Sequence, residues 1–265
     1  MKKLLLISLS FAFVSMVMAQ KKYWSPHIST AKITKDKAVL RQSFPQNFKL
    51  LDLDIHLLQK DLFSVVDNVA KHSIIISLPN SKGEIEEFEV TEASNFDKQL
   101  QARFPEIRAF SGKGITDKSA MLKLSISPQG IQTMVFRTET ENEFIEAYST
   151  DHHVYAVFKS ERAPGQLPWS CSTDEQVLVN DLGNHVRNTG ITARSGGDLK
   201  TMRLAQSVTA EYSNYFGATS ASQVSLVLAG INATLARCNG VYEKDLALHL
   251  NLISASTNVI YYTAP

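Results

Sequence analysis

The sequence predicts an α+β chain, a β-rich first part followed by a shorter β-α-β part, and three observations carry that expectation. From residue 30 to about 159, apolar and polar residues alternate between turn signals, with few long helical periods. Residues 161–197 are rich in Pro, Gly, Ser, Asn and Asp with little apolar periodicity, the composition of a linker. Beyond them Val224, Val227, Leu228, Ile231, Leu235 and Cys238 form one apolar helical stripe between two alternating segments.

The elements follow in order. Leu51, Leu53 and Ile55 alternate with Asp52, Asp54 and His56, and Leu57-Leu58 and Leu62-Phe63 then take a helical spacing, so a strand passes into a short helix. Residues 73–78 form a second strand. Pro79, Asn80, Ser81, Lys82 and Gly83 supply a turn, and Phe88 and Val90 alternate with Glu87 and Glu89 on the return of a hairpin. Glu84, Glu86, Glu87 and Glu89 beside Lys82 read as a solvated outer face. Residues 96–104 predict a helix that ends before Pro105. Leu122, Leu124 and Ile126 alternate with Lys123, Ser125 and Ser127 to mark a strand, Pro128-Gln129-Gly130 turns, and residues 131–137 return. Residues 144–148 and 154–158 complete the set.

In the second part, Met202, Leu204, Gln206 and Val208 mark a strand, and Tyr212, Tyr215 and Phe216 a helical turn before Gly217. Ser220-Ala221-Ser222-Gln223 is a capping-box candidate, the apolar stripe predicts a helix packed on a sheet, and Gly240 is expected to close it in a left-handed conformation. Leu246, Leu248, Leu250 and Leu252 then alternate as a strand, and residues 259–262 begin another apolar strand.

Length and composition fit a globular product of one or two domains: 265 residues, 44% hydrophobic, 20% charged and 9% aromatic. A formal net charge of +1 gives no basic surface for a nucleic-acid backbone, and the aromatic residues are not interleaved with basic clusters, so nucleic acid is not an expected partner. Met1-Lys2-Lys3, the apolar run 4–18 and Val17-Met18-Ala19 read as a secretory signal peptide cleaved at Ala19, and so as export. The alternative, a membrane anchor, has too short an apolar run, and no later segment reads as long and apolar enough to span a bilayer. Cys171 and Cys238 are too few for a disulfide scaffold. Cys238 falls on the apolar stripe and reads as core.

Motifs that carry chemistry are absent from these residues. None of His27, His56, His72, His152, His153, His185 and His249 lies in an H-E-x-x-H pattern. His152-His153 reads as a solvated turn, and His249 as a partly exposed packing residue opposite a leucine face. No G-x-S-x-G elbow, P-loop or dinucleotide fingerprint occurs. Catalytic and metal-ligating residues are therefore assigned to none. Arg194 sits in Ala193-Arg194-Ser195-Gly196, where a protease would find an accessible basic residue, with a plain solvated linker arginine as the alternative.

Leu199-Lys200-Thr201-Met202-Arg203-Leu204-Ala205, Glu211-Tyr212, and Asn239-Gly240-Val241-Tyr242-Glu243-Lys244-Asp245-Leu246 leading into Leu248-His249-Leu250-Asn251-Leu252-Ile253 resemble the start of the reprolysin-like (adamalysin-type) metzincin catalytic domain of secreted bacterial zinc metallopeptidases. Phe104-Pro105-Glu106-Ile107-Arg108, Gly112-Lys113-Gly114-Ile115 and Ser127-Pro128-Gln129-Gly130 resemble the propeptide that precedes such domains. The resemblance implies four divisions: a signal peptide 1–19, a β-rich propeptide domain 20–160, a linker 161–197 with a processing site at Arg194, and a catalytic-domain start 198–265. That last part would hold the first β-α-β elements of an incomplete metzincin-type α/β domain. It implies zinc as cofactor of the full-length family member, protein or peptide substrates, and peptide-bond hydrolysis by a zinc-activated water. The ligand helix H-E-x-x-H-x-x-G-x-x-H is not in this sequence, so the chain as written is expected to be inactive and to hold no zinc alone. The resemblance also gives Cys171, in Pro168-Trp169-Ser170-Cys171-Ser172, a candidate cysteine-switch role as a thiolate on that zinc, against a buried thiol or a disulfide with Cys238. The competing class is a non-enzymatic secreted module that binds or inhibits a protease.

Overall fold

Strand signals between residues 24 and 159 resolve into nine antiparallel strands of one sheet. The computed structural model describes residues 23–41, 43–160 and 198–263. The strands are β1 (Trp24–Pro26), β2 (Lys49–Leu53), β3 (Ile74–Pro79), β4 (Ile85–Glu92), β5 (Arg108–Gly114), β6 (Met121–Ser127), β7 (Gly130–Phe136), β8 (Glu143–Ala147) and β9 (Val154–Lys159). Their spatial order is β1-β2-β9-β8-β7-β6-β5-β4-β3, so every neighbouring pair but β2–β9 follows chain order. The indole Nε1 of Trp24 on β1 donates to the Ser77 carbonyl on β3 at 2.9 Å, so the sheet curls until its two edge strands meet.

The concave side holds the first core. Helix α1 (Ile55–Phe63) starts where the Asp54 carboxylate accepts from the Leu57 amide at 3.0 Å, a cap worth about 1 kcal/mol. Its Leu58 and Leu62, one turn apart, are fully buried with Ile76, Leu78, Phe88, Val90, Phe110, Leu122, Leu124 and Tyr155. At the β6–β7 turn Gly130 has φ +93°, and a Cβ there would lie 2.5 Å from the Tyr155 hydroxyl, so any side chain is excluded on both counts.

The hairpin carboxylates correct the expectation of a purely solvated face. Glu86 is partly buried and receives the Arg137 guanidinium at 2.7 Å, while the same arginine bonds Asp117 at 3.0 Å and Glu143 through Nε at 3.1 Å. One cation thereby ties β4, the β5–β6 loop and β8 together. Burial works to raise the Glu143 carboxyl, but hydrogen bonds from Ser81 and Arg137 outweigh it and hold that group below the usual carboxylate range. A depressed carboxyl adds stability above its unfolded value, about 4.3, and loses it as pH falls through the folded value. The chain is therefore expected to lose urea resistance below about pH 4.3, and a midpoint unchanged down to about pH 3 would contradict this.

The second part adds β10 (Lys200–Leu204), α3 (Ala210–Tyr215), a 3-10 turn (Ala221–Gln223), α4 (Val224–Leu246) and β11 (Leu248–Leu252). A helix-length crossover lets β10 and β11 pair in parallel, with Met202 opposite Leu250. On its other side β11 meets the first part: the Leu252 amide donates to the Asn95 carbonyl at 2.8 Å, and the Asp97 amide to the Leu252 carbonyl at 2.9 Å. Helix α2 (Lys98–Arg103) follows, capped by the Asp97 side chain on the Leu100 amide. A second core forms at this seam from Phe96, Leu100 and Ile107 of the first part and Val208, Val227, Leu228, Ile231, Leu235, Leu252 and Ile260 of the second.

Five local expectations are corrected. The capping box does not form: Ser220 makes no side-chain bond to a helix amide, and Gln223 Oε1 accepts instead from the Thr219 amide at 2.9 Å. Helix α4 does not stop at Gly240 but runs to Leu246, and Ala247 takes the left-handed conformation (φ 51°). Leu246 thus belongs to the helix, not the strand. Strand β10 ends at Leu204, and the expected strand at 259–262 is a 3-10 turn (Ser254–Val259) followed by one bridge between Val208 and Ile260. Ile260 is buried there and only Tyr261 stays open. Finally, residues 221–246 are long and apolar enough to cross a membrane, contrary to the sequence reading, yet most of that apolar stretch is buried inside the protein.

Candidate functional site

The alternation that marks β6 puts Leu122, Leu124 and Ile126 inward and leaves Lys123 and Ser125 on the convex face, where polar side chains normally meet water. Both are buried, because α4 lies across β5, β6 and β7 on that face. Small residues permit the approach. Ala229, Ala233 and Gly240 share one side of the helix, and a Cβ on Gly240 would sit 2.5 Å from Phe136 Cε2 and 2.9 Å from Lys123 Cγ. Gly240→Val should cost about 1–3 kcal/mol by overpacking, although glycine is itself a poor helix former, and a urea melt checks the sign.

Polar groups then fix the register of the helix. Lys123 Nζ donates to Glu243 Oε2 at 2.5 Å, and Glu243 Oε1 lies 2.7 Å from His249 Nδ1. Asn232 Nδ2 donates to the Arg108 carbonyl at 2.9 Å and its Oδ1 accepts from Asn95 at 2.9 Å. Asn239 donates to Asn95 Oδ1 and to the Leu250 carbonyl, and accepts from the Leu250 amide at 2.9 Å. Arg237 bonds Glu146 at 2.9 Å, and Arg41 approaches the other carboxylate oxygen at 2.8 Å. Buried amides satisfied in this way cost about 1–3 kcal/mol each when a partner is removed, so the contact is specific as well as apolar.

His249 corrects another expectation: it is buried and bonded at both ring nitrogens, not a partly exposed packing residue. His152 and His153 do lie in a turn, with His152 half-buried at φ 57° and burial pushing its imidazole below the usual value. Cys238 is a half-buried free thiol whose pKa burial raises, consistent with a packing role. Ala19, Cys171 and Arg194 lie outside the described residues. Sequence reasoning missed Lys123, Asn95, Asn232, Asn239 and Glu243. The signal available was Asn232 and Asn239 seven residues apart on one helix face otherwise built of small residues.

Residues 198–265 match the family model for Metallo-peptidase family M12B Reprolysin-like. None of the curated proteins matches the chain. The matched segment contains β10, α3, α4 and β11, so the element seated on the nine-stranded sheet is the one similar to a metallopeptidase. That family is zinc-dependent in general. Among the described residues no group of three or more His, Cys, Asp or Glu side chains is placed to hold a metal ion. His249, the histidine of the matched segment, has both ring nitrogens taken by Glu243 and Ser94. The polar side chains of the matched segment described above hold it against the sheet.

Proposed function

We propose that the chain is the N-terminal part of a secreted precursor of a zinc-dependent metalloendopeptidase, with the nine-stranded sheet acting as a propeptide that cradles the opening elements of the catalytic domain. The observation that carries this reading is the seating of α4, inside the segment similar to reprolysin-like metallopeptidases, on the convex face of the sheet through Lys123–Glu243, Arg237–Glu146 and the asparagine network. A helix that buries Ala229, Ala233 and Gly240 against a second body has a template for its own packing, which lowers the cost of ordering it.

In this reading Ala19 ends an export signal, Arg194 is the processing site, and Cys171 is a candidate to occupy the metal site of the whole enzyme. Its substrates are peptides or proteins. No H-E-x-x-H occurs in the 265 residues, so the chain alone is expected to give no peptide hydrolysis with added zinc. The test is N-terminal sequencing and zinc-dependent peptidase assay of the product purified from the cells that make it. A mature active product beginning just beyond Arg194 is expected. An active product that still carries residues 23–160, or turnover by the 265-residue chain itself, would overturn the reading.

A further inference from the structure

The convex face of the nine-stranded sheet carries two covers, and they meet on one carboxylate. Helix α4 lies over β5, β6 and β7. Residues 33–41 and 43–48 lie over β8, β9 and β2, where Ile33, Val39, Phe44 and Phe48 pack against the cluster of Tyr148, Ala156 and Phe158. Backbone pairing fixes this second cover: the Asp36 amide donates to the Tyr148 carbonyl at 2.9 Å, and the Thr150 amide to the Thr34 carbonyl at 3.0 Å. A 3-10 turn (Lys37–Leu40), capped by the Asp36 carboxylate on the Ala38 amide at 2.8 Å, then leads into Arg41. At the boundary stands Glu146 of β8, whose side chain is 6% exposed. Arg41 from one cover reaches its Oε2 at 2.8 Å, and Arg237 from the other bonds its Oε1 at 2.9 Å. We propose that the cover formed by residues 33–41 and 43–48 is a strap whose docking and that of the 198–263 segment stabilise each other through Glu146, so that displacing the strap loosens α4 in the uncut chain.

The carboxylate gives the coupling its sign. Each cover takes water from the anion that the other cover's arginine meets, and an ion pair strengthens as its surroundings dry. Oε2 has no hydrogen bond among the described residues, so the Arg41 ion pair balances it while the strap is down. With the strap lifted, Glu146 returns to solvent and water competes for Arg237, as at an exposed pair. The guanidiniums also repel each other, but they meet different oxygens at 2.8 and 2.9 Å, so attraction to the shared anion acts over the shorter distance.

The aromatic rings act in the same direction. Phe44 of the strap meets Phe158 edge-on at 5.5 Å, Phe158 stacks on Phe144 at 5.6 Å, and the Arg237 guanidinium lies over Phe144 at 5.3 Å. Lifting Phe44 uncovers Phe158 and frees the ring that carries Arg237. A direct tie between the covers, Lys37 Nζ to the Tyr215 carbonyl at 3.4 Å, is long and exposed and adds little. As control of a precursor, a route to release that needs no cut at Arg194, this rests on the proposed function; as a coupling between two covers it does not.

The test is hydrogen exchange of the uncut chain at constant pH, read by mass spectrometry for wild type, Phe44→Ala and Glu243→Leu. The ring contacts of Phe44 are Phe48, Tyr148 and Phe158, with Arg41 over its face, and none of these lies in 198–263. Phe44→Ala should nonetheless raise the opening of residues 232–246 by at least about fivefold, and Glu243→Leu should raise that of 33–41 in turn, because coupling is reciprocal. Residues 74–92, under neither cover, should keep their protection. On a Glu146→Leu background Phe44→Ala should add little to the opening of 232–246. A rise confined to the strap and β8–β9 would overturn the coupling, and so would an equal rise in 74–92, which is loss of global stability. If Phe44→Ala does not fold, Arg41→Gln, which leaves the apolar residues of the strap in place, is read the same way. The precursor reading stands or falls separately, on where the mature product begins.

Discussion

Arg137→Leu should destabilise the chain by about 3–5 kcal/mol, seen as a fall in the urea midpoint at neutral pH. The guanidinium side chain is 8% exposed and bonds Glu86, Asp117 and Glu143, of which Glu86 and Glu143 are themselves mostly buried. Its removal leaves two carboxylates close together, desolvated and without a counter-ion, which is the costly way to break a buried ion pair. Arg137→Lys should recover only part of the loss, because an ammonium cannot present the planar fork that meets three carboxylates at once. The deficit should shrink in acid as Glu143 takes up a proton. A loss under about 1 kcal/mol would mean that the cluster is a surface network of ordinary weak pairs.

Glu243→Leu is the second large effect, near the lower end of about 3–5 kcal/mol. It strands Lys123, whose side chain is 3% exposed and whose ion-pair partner among the described residues is Glu243. A buried ammonium escapes part of this penalty by losing its proton, which is why the lower end is expected. The double variant Lys123→Met with Glu243→Leu should be more stable than Glu243→Leu alone, since paired apolar replacement removes the stranded charge. Simple additivity of the two single losses would contradict a direct pair between β6 and α4.

Much of the fold was legible because strands announce themselves by period two. The alternation at Leu51–Ile55, Leu122–Ile126 and Leu248–Leu252 gave strands in the right places, and the Val224–Cys238 stripe gave the long helix. What covers a face is a tertiary fact and was not legible. Lys123 and Ser125 read as the solvent side of a strand, and only the arrival of a helix from more than a hundred residues away buries them. Gly240 failed as a helix stop for the same reason: its missing Cβ serves close approach to Phe136, not a left-handed turn. The capping box at Ser220 lost to Thr219, whose amide takes the Gln223 side chain first. The family segment was legible from its residues, whereas the asparagines that seat it were not, since an isolated Asn carries no periodic signal.

Cutting the chain after Arg194 and passing it through a sizing column tests the central claim most directly, because it removes the covalent link and leaves only the non-covalent contacts made by α4, β11 and the shared core. The fragment ending at Arg194 and the 195–265 fragment should elute together at the size of the intact chain, and Glu243→Leu should weaken that retention. Separate elution of two folded wild-type fragments would contradict the seating of the metallopeptidase-like segment on the sheet.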